Sequence, residues 1–599
     1  MKKKDLLIVV LLLAVLLAYP YVDRKFVAKW FPAKERPAAA ETAREPEIPG
    51  GSELSAAPGA GAETAEEEGV VDEPAAVADE AAEPAEEPRE ETTYTLENGD
   101  VRLVLTSAGA GVKRAEMLGY PLEEKGTEPV AFDFTGRASG GAFVKGTAAG
   151  AAFEAKQTGE RSVEFRRKLA GGVEWTRTMA LREKGFVVDV TDRFRNGGAA
   201  AVSLEGFGLQ TGVMGNLPGE KRERLPLLGA DTLTGGRSVE FWGGKFEKWF
   251  PGQGRDEQTT TLMAGKTGPA SVDWVAVKDK YFTQILTPEG TFAERCEISA
   301  WRGEPETVRS MLFFTRTQVP IEGVAARMTL PAQEIAAGGE LAQASTLYIG
   351  PKEYGFLKAN GYHQEDILQL GFWRPIGILI LKIMVFFHDK IPPHNYGLAI
   401  ILLTFLIRIV FWPLNRKSML STRRMQEIQP ELAALKERYK KDPQRQQQEM
   451  MKLYREKKIN PMGGCLPMLI QIPVFFALFI VLRGAIELRH SSFLWIRDLS
   501  TPENLFADTL PFALNLLPIF MGVTMWIQQR MTPTSDPQQQ KMMLLMPVIF
   551  TLMFYSFPSG LSLYWTVNQI MMIVQLAAMK KKPAAAPAEA ERPAGGRKK

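Results

Sequence analysis

Arg408 is the residue whose type and position most clearly point to a function, because its guanidinium lies inside an apolar run of membrane-spanning length. An arginine at the centre of a membrane-spanning helix costs about 2.5–3.5 kcal/mol on insertion scales, and such residues usually face a protein interior or a water-filled cavity. Thr404 lies one turn earlier on the same helical face. The alternative is snorkelling, since Arg408 lies roughly 9 Å from the end of the run and its long side chain can reach the interface from there.

Polar side chains also interrupt the later apolar runs. Each of them alone is more often an interhelical hydrogen-bonding group. Together with Arg408 they predict a wet groove inside the membrane. They are Gln471, Asn515, Thr524, Gln528, Thr566 and Asn568.

The sequence lacks the signatures of an enzyme. We find no serine-nucleophile elbow, and the string Gly265-Lys266-Thr267 has Thr260 where a phosphate-binding loop requires glycine. The only two cysteines, Cys296 and Cys465, fall in regions of different character, and the four histidines are scattered. We therefore expect no disulfide, no metal site and no cofactor.

Apolar runs predict six transmembrane helices. The first is an anchor over residues 1–30, in which three lysines precede an apolar run that no small-residue cleavage site follows closely; a cleaved signal peptide is the alternative. Five further helices are predicted over 397–414, 463–483, 510–528, 542–557 and 561–579.

Charge sets the predicted orientation. Basic residues outnumber acidic ones thirteen to six over residues 416–458, and the tail at 580–599 begins with three lysines. The positive-inside rule places both segments, and the N-terminal lysines, in the cytoplasm. Both termini are then cytoplasmic, and whatever lies between the first and second helices is periplasmic. The net charge of +3 is near neutral, so we expect no bulk attraction to nucleic acid. We also expect no direct sequence-specific binding of nucleic acid.

Three segments precede the core helices. Residues 31–92 are rich in alanine, glutamate and proline, which predicts a disordered acidic linker. Residues 93–352 alternate apolar and polar residues in short runs between glycines, as at Phe186, Val188 and Val190, which predicts an antiparallel β-sandwich. Residues 366–391 predict an amphipathic helix that lies on the membrane surface rather than spanning it.

The loops between the core helices differ in character. Residues 415–460 carry apolar residues at helical spacing and a break at Asp442-Pro443, which predicts a basic helical hairpin in the cytoplasm; an ordinary solvated loop would explain the charge but not the spacing. Residues 484–509 are expected to form a periplasmic loop, residues 529–541 a short cytoplasmic loop, and residues 580–599 a disordered tail.

Several strings resemble the YidC family of membrane-protein insertases, in its Gram-negative form with a large periplasmic domain. The residues 460–479, NPMGGCLPMLIQIPVFFALF, are similar to its NP-x-GGC-x-P-x-LIQ-x-P-x-F signature, and 557–564, FPSGLSLY, to its FPSG-x-x-LY motif. Shorter strings at 274–282, 347–354 and 494–500 are similar to periplasmic parts of the family. The resemblance covers nearly the whole chain apart from the acidic linker and the extreme tail.

The resemblance implies a five-helix insertase core that encloses a hydrophilic groove, and a periplasmic β-supersandwich. Arg408 matches the groove arginine of the family, while Thr404 and Trp565 fall where it contributes further groove residues. We therefore expect Arg408, Thr404, Gln471, Trp565 and Asn568 to form the substrate groove. The resemblance also implies insertion and chaperoning of membrane proteins without nucleotide hydrolysis. Its implied partners are newly made membrane proteins, lipid, the Sec translocon, and the ribosome through the cytoplasmic hairpin.

Two other functions fit part of the sequence. A secondary transporter would also contain a buried arginine and helices interrupted by proline, but it usually shows an internal repeat of its spans, and we see none. An envelope carbohydrate-binding protein would use the β-domain. Its candidate residues are the aromatic string Phe241, Trp242, Phe246, Trp249 and Phe250, which more often belongs to a core or an interface.

Overall fold

The computed structural model describes residues 90–580, except for 148–149, 219–226, 237, 242–257, 264–270, 305, 312–313, 319, 458, 460–465, 507–512 and 532–536. The predicted anchor over 1–30, nearly all of the acidic linker, most of the aromatic string and the tail beyond Lys580 lie outside the described residues.

Short antiparallel strands make up the first half of the described chain, as the period-two pattern predicts. In the strand Val173–Leu181, buried and partly exposed residues alternate along its whole length, which is the expected result of burying one face of a strand. The strands are β1 Thr93–Glu97, β2 Val101–Thr106, β3 Gly111–Pro121, β4 Pro129–Asp133, β5 Gly141–Phe143, β6 Glu154–Gly159, β7 Ser162–Lys168, β8 Val173–Leu181, β9 Val187–Asn196, β10 Val202–Leu204, β11 Gly208–Gln210, β12 Gly229–Thr234, β13 Ser238–Phe241, β14 Gln258–Met263, β15 Val272–Lys278, β16 Phe282–Pro288, β17 Arg295–Arg302, β18 Glu306–Met311, β19 Phe314–Gln318, β20 Ile321–Thr329, β21 Gln333–Ile335 and β22 Glu340–Pro351.

Three sheets pack together into the β-domain. A nine-stranded sheet has the order β13-β12-β15-β16-β22-β9-β8-β7-β6, a five-stranded sheet the order β14-β17-β20-β11-β5, and a four-stranded sheet the order β1-β2-β3-β4. Trp175 on β8 meets Phe207 beside β11 with ring centres 5.8 Å apart, and Phe132 on β4 meets Phe282 on β16 at 5.4 Å. The predicted β-sandwich is confirmed.

The second half of the described chain is helical. Turns of 3₁₀ helix at Gln364–Leu368 and Gly371–Trp373 lead from the β-domain into it. The helices are α1 Tyr354–Asn360, α2 Arg374–Lys390, α3 Tyr396–Val410, α4 Trp412–Glu427, α5 Gln429–Arg438, α6 Pro443–Glu456, α7 Leu466–Gly484, α8 Leu516–Met531, α9 Pro537–Phe554 and α10 Ser559–Lys580.

Five of these helices coincide with predicted spans, although their ends differ. The helix predicted over 397–414 ends at Val410, and a new helix begins at Trp412 after a break at Phe411. The helix predicted over 542–557 begins already at Pro537, because three glutamines and a lysine, all good helix formers, extend it into the segment expected to be a loop.

An apolar core joins the helices. Its fully buried members include Ile400 on α3, Leu478 on α7, Met521 on α8, Phe554 on α9 and Tyr564 on α10. Among the described helices, α2 together with the 3₁₀ turn before it, Gly371–Lys390, is long and apolar enough to cross a membrane. Three shorter helices are also apolar. The sequence predicts that α2 lies on the membrane surface, and both this orientation and the six-span topology stay predictions.

The segment predicted as a helical hairpin contains α4, α5 and α6. Ile459, just beyond α6, packs with Ile428 and Leu432 at the start of α5. Lys457 also pairs with Glu431 at 2.8 Å. Because the end of α6 meets the start of α5, these two helices are antiparallel.

Candidate functional site

Arg408 lies on the buried face of α3. Asn395 begins this helix, since its side chain accepts a hydrogen bond from the backbone N–H of Leu398 at 3.2 Å. Ile400, Thr404 and Arg408 follow one another at intervals of four residues, so they share one face. That face is buried against α10, and Arg408 is only 7% exposed.

Arg408 contacts α10 through a backbone carbonyl. Its Nη2 donates a hydrogen bond to the carbonyl oxygen of Asn568 at 2.8 Å. Its Nε, in contrast, has no hydrogen-bond partner within the described part of the chain. An unsatisfied buried donor costs about 1–3 kcal/mol, so this N–H is a site at which water or an incoming acceptor would be stabilised.

Thr404 is fully buried one turn from Arg408, and its hydroxyl donates to the carbonyl oxygen of Ile400 in the same helix at 2.7 Å. The hydroxyl hydrogen of Thr404 is thus already engaged in a hydrogen bond within α3. Thr404 is therefore a short polar residue one turn from Arg408 on the same face, and its hydroxyl oxygen is the part left for other contacts.

Gln471 and Asn568 both belong to the contacts that join α10 to other helices. Gln471, on α7, donates a hydrogen bond from Nε2 to the hydroxyl of Tyr564 on α10. Tyr564 and Asn568 are four residues apart and lie on one face of α10. The contacts of Arg408 and Gln471 therefore fall one turn apart, and together they connect α3, α7 and α10.

Trp565 lies beside this group in an aromatic cluster. Its ring centre is 5.2 Å from that of Phe475, 5.6 Å from that of Phe554 and 5.8 Å from that of Phe550. Its indole Nε1 is buried and has no partner among the described atoms. Trp565 thus separates the polar contacts of α10 from the apolar surface formed by α7 and α9.

Sequence reasoning missed several polar residues of α10. Tyr564 and Ser562 are fully buried, and Gln569 is nearly so. The Oγ of Ser562 also has no partner in the described residues. Ser562 and Gln569 share one helical face with Thr566, and this spacing is the signal that could have identified these two residues; Tyr564 lies on a different face and gives no such signal.

Neither of two cavities near the β-domain includes Arg408. One, of about 360 Å³, is lined by residues of the 3₁₀ turns and the start of α2, among them Glu365 and Arg374. The other, of about 140 Å³, lies where the β-domain meets α7. In the described ranges, no group of three or more histidine, cysteine, aspartate or glutamate side chains could hold a metal ion.

Comparison with known families finds two matches that together cover most of the chain. The family model described as the 60Kd inner membrane protein matches residues 386–586, and the family model described as the YidC periplasmic domain matches residues 93–382.

Curated relatives agree with these matches. A protein of Pelobacter propionicus named membrane protein insertase YidC is 42% identical over 324 residues, which are 53% of this chain and 56% of that protein. A protein of the same name from Geobacter metallireducens is 36% identical over 423 residues, or 70% of each chain. The aligned part therefore spans little more than half the length of the first of these relatives.

A similar solved structure is an active YidC insertase crystal structure with the first transmembrane domain resolved. It is 18% identical, and the match covers 84% of this chain and 96% of that one with a TM-score of 0.33.

Proposed function

The chain belongs to the YidC family of membrane protein insertases, and from this premise we propose that it inserts newly made proteins into the bacterial inner membrane and assists their folding there. The observation that supports a mechanism is the buried guanidinium of Arg408. It lies between two apolar helices, bonded to a carbonyl oxygen of α10 and with its Nε–H unsatisfied within the described residues.

The proposed role of Arg408 is to attract the polar part of a client while that part enters the membrane. A short acidic tail must cross hydrocarbon, where charge is costly. A cation held within the bilayer by α3 interacts favourably with such a tail, and more strongly than it would in water because the dielectric constant is lower. Thr404, Gln471 and Asn568 would supply polar contacts near it, and Trp565 would border the site.

The proposed path for the apolar part of a client runs along α7 and α9. Ile472 and Phe476, one turn apart on α7, are 38% and 44% exposed. Leu545, Val548 and Leu552 share one face of α9 and are 56%, 54% and 48% exposed. A client helix that moves from this surface into lipid keeps its apolar side chains out of water. Burial of apolar area in lipid rather than water is favourable by about 25 cal/mol per Å². The mechanism needs no nucleotide.

The remaining parts of the proposal concern topology and partners. We place the chain in the inner membrane with six spans, both termini in the cytoplasm and the β-domain, as a supersandwich, in the periplasm. The basic α4–α6 segment would receive clients and contact the ribosome, and the Sec translocon would work beside the protein for larger clients. The charge distribution supports the proposed topology, and membership of the family supports the proposed partners.

The direct test is insertion into proteoliposomes that contain the purified full chain. Arg408→Ala should slow the insertion of a client with an acidic tail, and Arg408→Lys should largely restore it, because the cation rather than the guanidinium shape is required. A client with a neutral tail should respond less. Arg193→Ala, which removes a 63% exposed guanidinium from the β-domain, serves as the matched control. If Arg408→Ala matches the unsubstituted protein for every client, Arg408 only anchors α3 at the interface.

A further inference from the structure

The turn at residues 493–496 presents apolar side chains on the surface in an unusual conformation. Phe493 and Ile496 exchange two backbone hydrogen bonds of 2.9 Å, and this pairing leaves Leu494 and Trp495 at the tip. Leu494 has a φ of 53°, in the left-handed region that side chains rarely adopt. It is also 76% exposed, more than any other large apolar side chain in the described ranges.

Contacts with the start of α3 hold one side of this turn in place. Phe493 packs against Gly397 so closely that a β-carbon at Gly397 would collide with the ring, and Asn395 donates to the carbonyl oxygen of Ser492 at 2.8 Å. These contacts fix the turn to the start of α3. A bulky residue in a strained conformation persists only where its surroundings impose it.

Glu503 fixes the other side of the turn to α8. Its Oε1 accepts a hydrogen bond from the indole Nε1 of Trp495 at 2.9 Å. The same carboxylate accepts from the backbone N–H of Leu517, at the start of α8, with the shorter distance of 3.0 Å to Oε2. Trp495 therefore has its polar atom satisfied within the protein, while 41% of the residue remains exposed.

The exposed apolar surface of the turn continues onto the outer face of α8. The ring of Trp495 lies 6.3 Å from that of Phe520, which is 48% exposed. Val523, three residues further along α8, is 49% exposed. Arg497, directly after the turn, is exposed as well. An exposed leucine alone is ordinary, but here an apolar tip, a tryptophan, a basic residue and an apolar helix face adjoin one another.

We propose that Leu494 and Trp495 insert into the periplasmic leaflet of the membrane beside α8, at the boundary between the lipid headgroups and the acyl chains. Tryptophan is enriched at this depth because one end of its ring is apolar and the other polar. Leu494 would bury its side chain among the acyl chains, and Arg497 would face the phosphate groups. The bound occupant is therefore lipid, and the turn would set the depth of the starts of α3 and α8.

A fluorescent probe at the tip tests this inference. Leu494→Cys, in a full-length chain that lacks Cys296 and Cys465, is labelled with an environment-sensitive dye and reconstituted in vesicles of phosphatidylethanolamine and phosphatidylglycerol. Emission should shift to the blue, lipids with a nitroxide at a shallow acyl position should quench it, and aqueous iodide should not. Glu160→Cys, in the exposed turn that follows β6, is the matched control, and its label should show the opposite pattern.

Two results would overturn the inference. Equal quenching by iodide at both positions would show that the tip lies in water. A blue shift without quenching by labelled lipid would show that protein, such as a second copy of this chain, covers the tip instead.

The unsubstituted chain provides a second test that no folding defect can affect. A phospholipid with a photoreactive group near the top of its acyl chain should cross-link to the tryptic peptide of residues 490–497. Cross-links to α8 without any to this peptide would contradict the inference. Client insertion can proceed whether or not the tip enters lipid, so this outcome is independent of the proposed function.

Discussion

Arg489 joins the two halves of the protein, because its Nη1 donates a hydrogen bond to the carbonyl oxygen of Pro121 at 2.7 Å. Its Nη2 donates to the carbonyl oxygen of Leu122 at 3.0 Å. Arg489 lies between α7 and α8, whereas Pro121 ends β3. Nearby, the hydroxyl groups of Tyr281 and Ser500 are 2.6 Å apart. The β-domain is thus docked directly on the segment that links two core helices.

Arg489→Ala should loosen this docking. The substitution removes the charged donor of two hydrogen bonds, so the carbonyl oxygens of Pro121 and Leu122 lose this partner. The loss should lower the stability of the docked arrangement by about 1–3 kcal/mol. Hydrogen exchange of the full chain in vesicles should become faster at the end of β3 and around residue 489. The control is Arg182→Ala, which removes an arginine paired with Asp189 on the surface, where such pairs contribute about 0–1 kcal/mol. Unchanged exchange at both segments would mean that Arg489 does not hold the domains together.

Asp279 makes the same junction sensitive to pH. The residue is fully buried; its Oδ1 accepts from the backbone N–H groups of Tyr281 and Phe282, and its Oδ2 has no partner in the described chain. Burial raises the pKa of Asp279 to about 6, although the two backbone hydrogen bonds and the nearby cations Lys352 and Arg489 lower it. The folded protein therefore holds the proton of this carboxyl more tightly than the unfolded chain does.

The junction should consequently be most stable in acid and lose stability as pH rises from about 4 through 6. The change from an ordinary pKa of 3.8 to about 6 corresponds to about 3 kcal/mol. Thermal unfolding of the purified chain, followed between pH 4.5 and pH 7.5, measures this. Asp279→Asn retains an oxygen acceptor without the charge, so it should exceed the unsubstituted protein in stability at pH 7.5 and converge with it at pH 4.5.

Two other carboxyls at the junction, those of Glu487 and Glu353, would act in the same direction. Burial, with a smaller contribution from the charge of Glu353, raises the pKa of Glu487 to about 7. The Asp279→Asn protein should therefore keep a weaker pH dependence, which Glu487→Gln should reduce further. Burial also raises the pKa of Glu353, so this carboxyl should retain part of the dependence. A pH profile that neither substitution alters would exclude Asp279 and Glu487 as its origin.

The β-domain could be predicted from sequence because its signal is local. Alternation at Phe186, Val188 and Val190 reports one buried face, and all three side chains are buried. The order of the strands in the sheets could not be predicted from sequence. β22 pairs with β9 although about 150 residues separate them, and β11 lies between β20 and β5. No local pattern specifies such pairings, since any two strands with an apolar face can form them.

The candidate site was predictable in its residue types but not in its contacts. Arg408 stands out because a charge in an apolar run is costly. Its partner is the backbone carbonyl of Asn568, and every residue has such a group, so the sequence could not identify it. Gln471 is predicted to contribute to the groove, and it donates a hydrogen bond to the hydroxyl of Tyr564. The sequence did not identify this partner, because a tyrosine in an apolar run is commonly an ordinary core residue.

Gly522→Ala should destabilise the helical core, because α8 and α9 are in close contact there. A β-carbon at Gly522 would collide with the hydroxyl oxygen of Thr551 and lie 3.6 Å from the carbonyl oxygen of Pro547. The Thr551 hydroxyl donates to that same carbonyl at 2.8 Å, so it cannot rotate away without losing a hydrogen bond. Overpacking of this kind costs about 1–3 kcal/mol. Thermal unfolding in detergent should therefore begin at a lower temperature.

Gly484 provides the matched control for this substitution. It is the last residue of α7, and apart from its chain neighbours and the adjacent backbone of α7 no described atom lies within 4 Å of the position that a β-carbon would take. Gly484→Ala should thus be neutral or stabilise the protein by up to about 1 kcal/mol, because glycine is a poor helix former. Adding Thr551→Ala to Gly522→Ala should recover part of the lost stability, since it removes the colliding hydroxyl. If Gly522→Ala and Gly484→Ala have equal effects, the two helices are not in the close contact described, and the apolar face of α9 that we assign to clients is not held in place by α8.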